Sequence, residues 1–326
     1  MIGTSIVQAK MLLEQAKVVA IPTETVYGLA GNALDKAAVA QIFHIKNRPF
    51  FDPLIVHTHS LAGIDELVQE FPVAARRLAE QTMPGAVTLL LPKRSHIPDL
   101  VTSGLPNVAV RIPNHPLTLA LLSSLSFPLA APSANPFGYI SPTTAQHVAD
   151  QLGDRLPYIL DGGACSIGIE STIVGFPNQQ ATIYRMGGMT IELLEDLLQQ
   201  KIVLAPQQSN SPQTAGQLDQ HYSPTAPMLL GNIEQLINTH SDRQRIGVLS
   251  FQNPYLHLPN VVERFILSPD GDMIIAAQHL FAAMRYLDAQ HLDLIIAEPL
   301  PEIGLGRAIN DRLRRAAAKA THFPPL

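Results

Sequence analysis

Residues 18–28 read VVAIPTETVYG, an apolar run cut off by Pro22 and followed at once by a short polar turn. Residues 18–21 have the length and the branched apolar content of a buried strand, and Pro22 cannot continue a sheet ladder. Ahead of that strand, MIGTSIVQAKMLLEQAK reads as a helix. Behind it, Asp35 caps a helix running to Arg48, with Ala38, Val39, Ile42, Phe43 and Ile45 at helical spacing. The same rhythm continues along the chain. Apolar strands are expected at 54–57, 87–91, 108–112, 129–131, 173–176 and 182–185, and helices near 72–81, 116–125, 142–152 and 191–201. Alternation of this kind gives an α/β domain with an extensive sheet, whose strand order the pattern leaves open.

At 206–227 the composition changes abruptly. PQQSNSPQTAGQLDQHYSPTAP is rich in Pro, Gln and Ser with almost nothing to bury, so it reads as a linker. Beyond it the β/α rhythm resumes: strands at 246–250, 261–267 and 294–297, a helix over 273–287 and a closing helix from about 307 to 320. A chain of 326 residues is too long for one ordinary core. The expected organisation is a first domain over 1–205, a linker over 206–227 and a smaller α/β domain over 228–326.

Composition removes several classes of function. With 46% hydrophobic and 15% charged residues, the chain can bury a core and is not a disordered protein. Cys165 is the single cysteine, so no internal disulfide is possible. The N-terminal stretch carries charges through its apolar part and lacks a cationic start, which fits a helix and not a signal peptide. The longest apolar runs, such as 86–92, fall well short of the roughly 20 residues of a membrane helix. A cytoplasmic protein with no membrane partner is the expectation. The net charge of −5 argues against tight nucleic-acid binding, which leaves a basic footprint. The one dense basic run, Arg312, Arg314, Arg315 and Lys319, has the spacing of a solvated helix face.

Common enzyme motifs are missing. There is no G-x-x-x-x-G-K-[ST] loop, no G-x-G-x-x-G after a strand, no G-x-S-x-G elbow and no H-E-x-x-H. Gly304-Leu305-Gly306 and the Gly pairs 162–163 and 187–188 read as turns. His57 and His59 would share a strand face and could pair on a metal, but no Cys, Asp or second His pair stands nearby at ligand spacing. Ordinary surface histidines are the expectation. What remains is a scatter of polar residues at strand ends. The 22–28 turn lies where open α/β folds place ligand contacts, although alone it reads equally well as a capped turn. Lys46, Arg48 and Arg111 stand at element ends, where cations meet phosphate or carboxylate or are simply solvated. APSAN at 131–135 puts two short polar side chains at a turn.

Together these segments are far more specific. PTETVYGLAGNA, IFHIKNRPFFDPLIVH, MPGAVTLLLP, VAVRIPNHP, APSANPFGYISPT, DGGACSIGIESTIV and YRMGG follow one another over residues 10–200. In that order and with those gaps they resemble the YrdC/Sua5 family. The linker ending in HYSPTAP and the later AEPLPEIGLGRAINDRLRRAA are similar to its longer Sua5 branch. The resemblance implies an α/β fold: an N-terminal YrdC-like twisted mixed sheet with a concave substrate surface and flanking helices, plus a smaller C-terminal Rossmann-like α/β domain. It implies a nucleotidyltransferase that makes threonylcarbamoyl-AMP and pyrophosphate from L-threonine, bicarbonate and ATP. The product would pass to a tRNA threonylcarbamoyl transferase complex. Mg²⁺ would come with the ATP phosphates, with no metal held by protein side chains.

Carried over position by position, the resemblance implies L-threonine contacts at Thr25, His57, Arg111, Ala131 and Ser171. It implies ATP contacts at Arg48, Asp52, Asn107, Ser133, Asn135, Ser141, Arg185 and, from the linker, Tyr222, which would act as part of a lid. Lys46 and Arg48 would work electrostatically, with no covalent nucleophile and no assigned general base; His57 is the weak candidate for that role. Two positions depart from the family's pattern. Asp52 stands where Asn is frequent, and a carboxylate beside phosphates is unfavourable unless a metal or Lys46 compensates. Asn107 stands where Thr is usual. The linker also lacks the basic residues that often precede its His-Tyr pair. Two rival functions are less well supported: carbamoyl-adenylate formation, whose chains usually carry zinc-binding cysteines absent here, and an RNA-binding accessory role in translation, disfavoured by the acidic balance.

Overall fold

The computed structural model describes residues 1–206, 212–218, 221–258 and 260–318. The chain divides into two compact units. The first comprises 1–137, 142–166 and 170–218; the second takes 138–141, 167–169 and the chain from 219 onward. The division therefore falls inside the 206–227 segment, of which 207–211 and 219–220 lie outside the described residues.

In chain order the strands of the first unit are β1 (Ile2–Gly3), β2 (Val19–Ile21), β3 (Gly28–Asn32), β4 (Ile55–His57), β5 (Val87–Pro92) and β6 (Asn107–Arg111). They continue with β7 (Leu129–Ala130), β8 (Ile159–Leu160), β9 (Thr172–Gly175), β10 (Thr182–Arg185) and β11 (Val203–Leu204). Among the described residues they form one mixed sheet in the order β1-β8-β2-β3-β7-β4-β6-β5-β9-β10-β11. The expected strands all appear, within a residue or two. β3 was not expected, because GLAGN offers two glycines where strands favour branched side chains. It forms as the antiparallel partner of β2. Gly31 there accommodates the helix Lys36–Lys46, since a Cβ would come 3.3 Å from Ile42 Cδ1. That helix starts where expected, with Asp35 accepting from the amides of Ala37 and Ala38, and stops at Asn47 in the left-handed region.

The two faces of the sheet are packed differently, and this positions the site. One face is covered along its length by a large core that includes Leu29, Val56, Leu89, Val110 and Val174. On the other face the helices Ile6–Glu14 and Pro116–Ser124 bring Ala9, Leu13, Leu121 and Leu122 onto Val19, Ile21 and Leu129. Past β7 this face carries a separate, narrow apolar strip made of Ile55, Ala109, Leu90 and Ile173, with Tyr184 beside it. Register fixes what borders the strip. Parallel pairing of β4 with β6 puts Ile55 beside Ala109 and His57 beside Arg111. Antiparallel pairing of β5 with β6 puts Leu90 beside Ala109, so Thr88, two residues back, falls in the row of His57 and Arg111. A polar row thus lies next to an apolar one.

Among its described residues the second unit has four parallel strands, β12 (Met228–Leu230), β13 (Ile246–Ser250), β14 (Val261–Ile266) and β15 (Leu294–Ala297), in the order β12-β15-β13-β14. Ile233 and Ile237 pack against Val248 and Ile296 to make one of its cores. Its helices are Ile233–Thr239, Met273–Asp288 and Leu305–Ala317. The basic run on the last of these is not the solvated face expected. Arg312 is fully buried with its guanidinium 5.6 Å from the ring centre of Tyr222, and Arg315 is paired with Asp311 one turn back. Of the three arginines of that run only Arg314 faces out, and it pairs with Glu302. Lys319 and the expected end of this helix at 320 lie outside the described residues. Among the described residues no helix is long and apolar enough to cross a membrane.

Candidate active site

The turn between β2 and β3 is tied by Thr23, whose Oγ accepts from the amides of Thr25 (3.1 Å) and Val26 (3.2 Å) and donates to the Val26 carbonyl (2.6 Å). This self-bonded turn fixes where Glu24 and Thr25 point. Arg111, at the end of β6, meets them. Its Nη1 donates to Thr25 Oγ (3.0 Å), its Nε to the Gly85 carbonyl (3.0 Å), and its Nη2 lies 2.7 Å from Glu24 Oε1. His57, next in the row, is buried, and its pKa falls to about 3, mainly through burial and then through the charge of Arg111. The imidazole is therefore neutral, a hydrogen-bonding group and only a weak proton acceptor at neutral pH. Burial also corrects the surface-histidine expectation for this residue. His59 lies past the end of β4 and is exposed, so the two do not share a strand face. Among the described residues no cluster of three or more His, Cys, Asp or Glu could hold a metal. Thr88 Oγ and Ser171 Oγ, 2.7 Å apart, close the row.

Ser171 leads directly to a second group of side chains. Its carbonyl accepts from Arg185 Nε (3.1 Å) and Nη2 (2.9 Å), and Arg185 Nη1 reaches the Ala215 carbonyl (3.2 Å). The Gly187 of YRMGG makes this approach possible, because a Cβ there would lie 2.3–2.6 Å from backbone atoms of Glu170 and Ser171. Lys46 is fully buried at the end of its helix, and its Nζ donates to the Ser133 carbonyl (2.6 Å) and to the Asn135 carbonyl. Arg48 forms a buried ion pair with Asp52 at 2.9 Å and also donates to the carbonyls of Asp52 and Pro53.

These four side chains share one electrostatic neighbourhood. Burial pushes the Lys46 ammonium well below its usual range, Arg48 lowers it further, and Asp52 partly restores it. Burial pushes the Asp52 carboxyl up, while Arg48 first, then Lys46 and Arg185, pull it back. So the partner that compensates Asp52 most is Arg48, ahead of the expected Lys46. Two guanidiniums, and a Lys46 amine that an added anion would charge, surround one carboxylate in a desolvated site that favours a polyanion.

The remaining candidates fall in different places. Ala131 donates its amide to the Ile55 carbonyl (2.9 Å) beside the apolar strip, and Ser133 forms a bridge with Gly28. Asn135 is buried, with its Nδ2 donating to the Pro136 carbonyl. Asn107 lines a recess of about 580 Å³ with Glu70, Pro92, Gly175, Gln179 and Tyr184. Ser141 and Tyr222 belong to the second unit. There the Ser141 carbonyl accepts from Arg285, and Tyr222, only 1% exposed, stacks on Phe281 with ring centres 5.4 Å apart. Three residues escaped the sequence reading as participants: Glu24, Thr88 and Gly187. Glu24 is the single acid in PTETVYG, and Thr88 is a lone hydroxyl in the apolar run VTLLLP; those were the available signals.

The Sua5/YciO/YrdC family model, described as telomere recombination, matches residues 11–187. A second model, the C-terminal domain of threonylcarbamoyl-AMP synthase, matches residues 189–318. The chain belongs to the Sua5 family. Its likeness to individual Sua5 relatives runs through both units. It is 37% identical to the threonylcarbamoyl-AMP synthase of Pyrococcus abyssi, over 94% of this chain and 92% of that one. With the threonylcarbamoyl-AMP synthase of Bacillus subtilis it shares 38%, over 96% and 92%. The crystal structure of P. abyssi Sua5 complexed with L-threonine superposes with a TM-score of 0.90 at 36% identity, covering 97% of this chain and 94% of that chain.

Proposed function

We propose that this Sua5 chain is a threonylcarbamoyl-AMP synthase that condenses L-threonine, bicarbonate and ATP and releases pyrophosphate. The observation that carries the reading is the meeting at Ser171 of two sites of different charge. One, built on Arg111, Glu24, Thr25 and neutral His57, pairs a single cation with a single carboxylate and suits an amino acid. The other, Lys46, Arg48 and Arg185 with Asp52, is cationic and suits a triphosphate. Ser171 joins them: its hydroxyl bonds Thr88, which stands in the row of His57 and Arg111, and its carbonyl and hydroxyl both accept from Arg185. The names and near full-length identity of the relatives support the same activity.

Threonine's ammonium first gives one proton to solvent; the neutral amine adds to the carbon dioxide formed when bicarbonate loses hydroxide, and its second proton joins that hydroxide as water, leaving a carbamate. A carbamate oxygen attacks the α-phosphorus of ATP, and pyrophosphate leaves. Arg111 holds the carboxylate of the amino acid through Nη2, because Nε and Nη1 already serve Gly85 and Thr25. Lys46, Arg48 and Arg185 face the phosphates; an anion there raises the Lys46 pKa and relieves its repulsion by Arg48. No side chain forms a covalent bond, and acceleration comes from alignment and from cations preset against developing charge. Mg²⁺ would come with ATP and supply neutralisation of phosphate charge, and the donor set fits that division, since Asp52, the carboxylate among Lys46, Arg48 and Arg185, is already engaged by Arg48. The product passes to a tRNA threonylcarbamoyl transferase complex in the cytoplasm.

The expected result is that purified protein with Mg·ATP releases pyrophosphate only when L-threonine and bicarbonate are both present. Equal release without threonine, or orthophosphate as the product, would sink the assignment.

A further inference from the structure

Of the residues that the family resemblance gives to the amino acid, Thr25, His57 and Ser171 offer the amine only uncharged groups. We propose that Glu24 is the receptor for the substrate's ammonium group, so that Arg111 and Glu24 together read the zwitterion. The proposal rests on the threonine reading above and adds the residue that selects an amino acid over other carboxylic acids.

Charge balance is the first argument. A free α-amino acid carries a carboxylate and an ammonium on one carbon, and moving it out of water with only one of them matched leaves a buried, uncompensated charge. Arg111 matches the carboxylate alone. The second argument is geometric. Glu24 is buried, with 5% of its surface exposed, and its Oε1 stands 2.7 Å from Arg111 Nη2. Yet neither Glu24 oxygen has an aligned hydrogen-bond partner, and neither does Arg111 Nη2. The two observations are compatible: charge attraction needs distance, whereas a hydrogen bond also needs direction. Oε1 is therefore held by charge attraction alone while Oε2 has no partner, which is costly for a buried carboxylate. An ammonium brings three donors and no acceptor, the complement that Glu24 lacks.

The neighbours do not offer the same service. Arg111 Nε and Nη1 are spent on Gly85 and Thr25. His57 carries no charge, and the hydroxyls of Thr23, Thr25, Thr88 and Ser171 bond one another in pairs. Glu24 also needs little reordering to bind, because the Thr23 turn fixes its backbone from both sides. On ligand binding, the carboxylate of the amino acid takes Arg111 Nη2, the guanidinium nitrogen without a hydrogen bond, and Glu24 exchanges part of its contact there for the ammonium.

The test compares two ligands on the full-length protein by calorimetric titration: L-threonine and the 2,3-dihydroxy acid in which a hydroxyl replaces the amine. Wild type is expected to prefer threonine by roughly 10- to 100-fold, the range for a hydrogen-bonded charge. Glu24→Gln should lose that preference, with threonine weakened and the dihydroxy acid unchanged or tighter. Glu24→Asp, which keeps a carboxylate one methylene shorter, should keep most of the preference and guards against a merely misfolded glutamine variant. If Glu24→Gln kept the wild-type preference, or if both ligands weakened equally in both variants, Glu24 would not be the ammonium receptor. Failure of wild type to bind either ligand would instead overturn the amino-acid pocket itself, and the proposal with it.

Discussion

Arg48→Ala is expected to lower the stability of the first unit by about 3–5 kcal/mol and to abolish ATP use in the same variant. The stability loss comes from Asp52, which is fully buried and 2.9 Å from the guanidinium, and which the substitution strands as an uncompensated charge. Two carbonyls, of Asp52 and Pro53, lose their donor as well. The loss of ATP use has a separate origin, removal of a cation from the phosphate site. Adding Asp52→Asn to Arg48→Ala separates the two. It removes the stranded charge and should restore part of the melting temperature, but none of the dependence on ATP. Denaturant unfolding and kinetics with varied ATP would read both effects. A double variant that recovered ATP use along with stability would show that Arg48 only holds the 49–53 turn.

A second large effect is expected at Tyr222, this time in the second unit. Tyr222→Ala removes a ring that is 1% exposed, stacks on Phe281 and lies over the buried guanidinium of Arg312. Truncating a buried aromatic costs about 3–5 kcal/mol, because the cavity is only partly refilled. Calorimetry should show the second unit melting earlier while the transition of the first unit stays in place. An unchanged second transition would mean that the tyrosine contributes contact to a ligand and nothing to this core. The motif resemblance assigns Tyr222 to ATP, and a tether without structural duties would leave both transitions unmoved.

Much of the fold was legible because its signals are local. The strands at 182–185 and 246–250 are each signalled by branched residues, Thr182 and Ile183 in one and Ile246 and Val248 in the other, and the structure reproduces both ranges. The Asp35 cap was readable for the same reason, since a carboxylate three residues before helical apolar spacing satisfies amides that nothing else reaches. β3 was hidden because its stability comes from β2 and β7 on either side and not from its own glycines. β1, β8 and β11 are two residues long, too short for any period to register.

The site divides along the same line. Resemblance named Arg48, Arg111 and Arg185, but residue type alone could not say that each is buried and bonded to backbone carbonyls or to a carboxylate. Burial of Arg312 was illegible as well, because a helical charge run looks solvated until the aromatic ring over it is known. Glu24 stood in plain view within PTETVYG. Its role depends on Arg111, eighty-seven residues away in sequence, whose register beside His57 only the sheet reveals.

Mass spectrometry of the nucleotide product, with isotopically labelled bicarbonate, tests the central claim most directly. Incubated with Mg·ATP, L-threonine and labelled bicarbonate, the full-length protein should yield an acyl-adenylate that contains threonine and is heavier by the label. An adenylate that carries threonine without the bicarbonate carbon, or AMP with no acyl-adenylate at early times, would contradict the account.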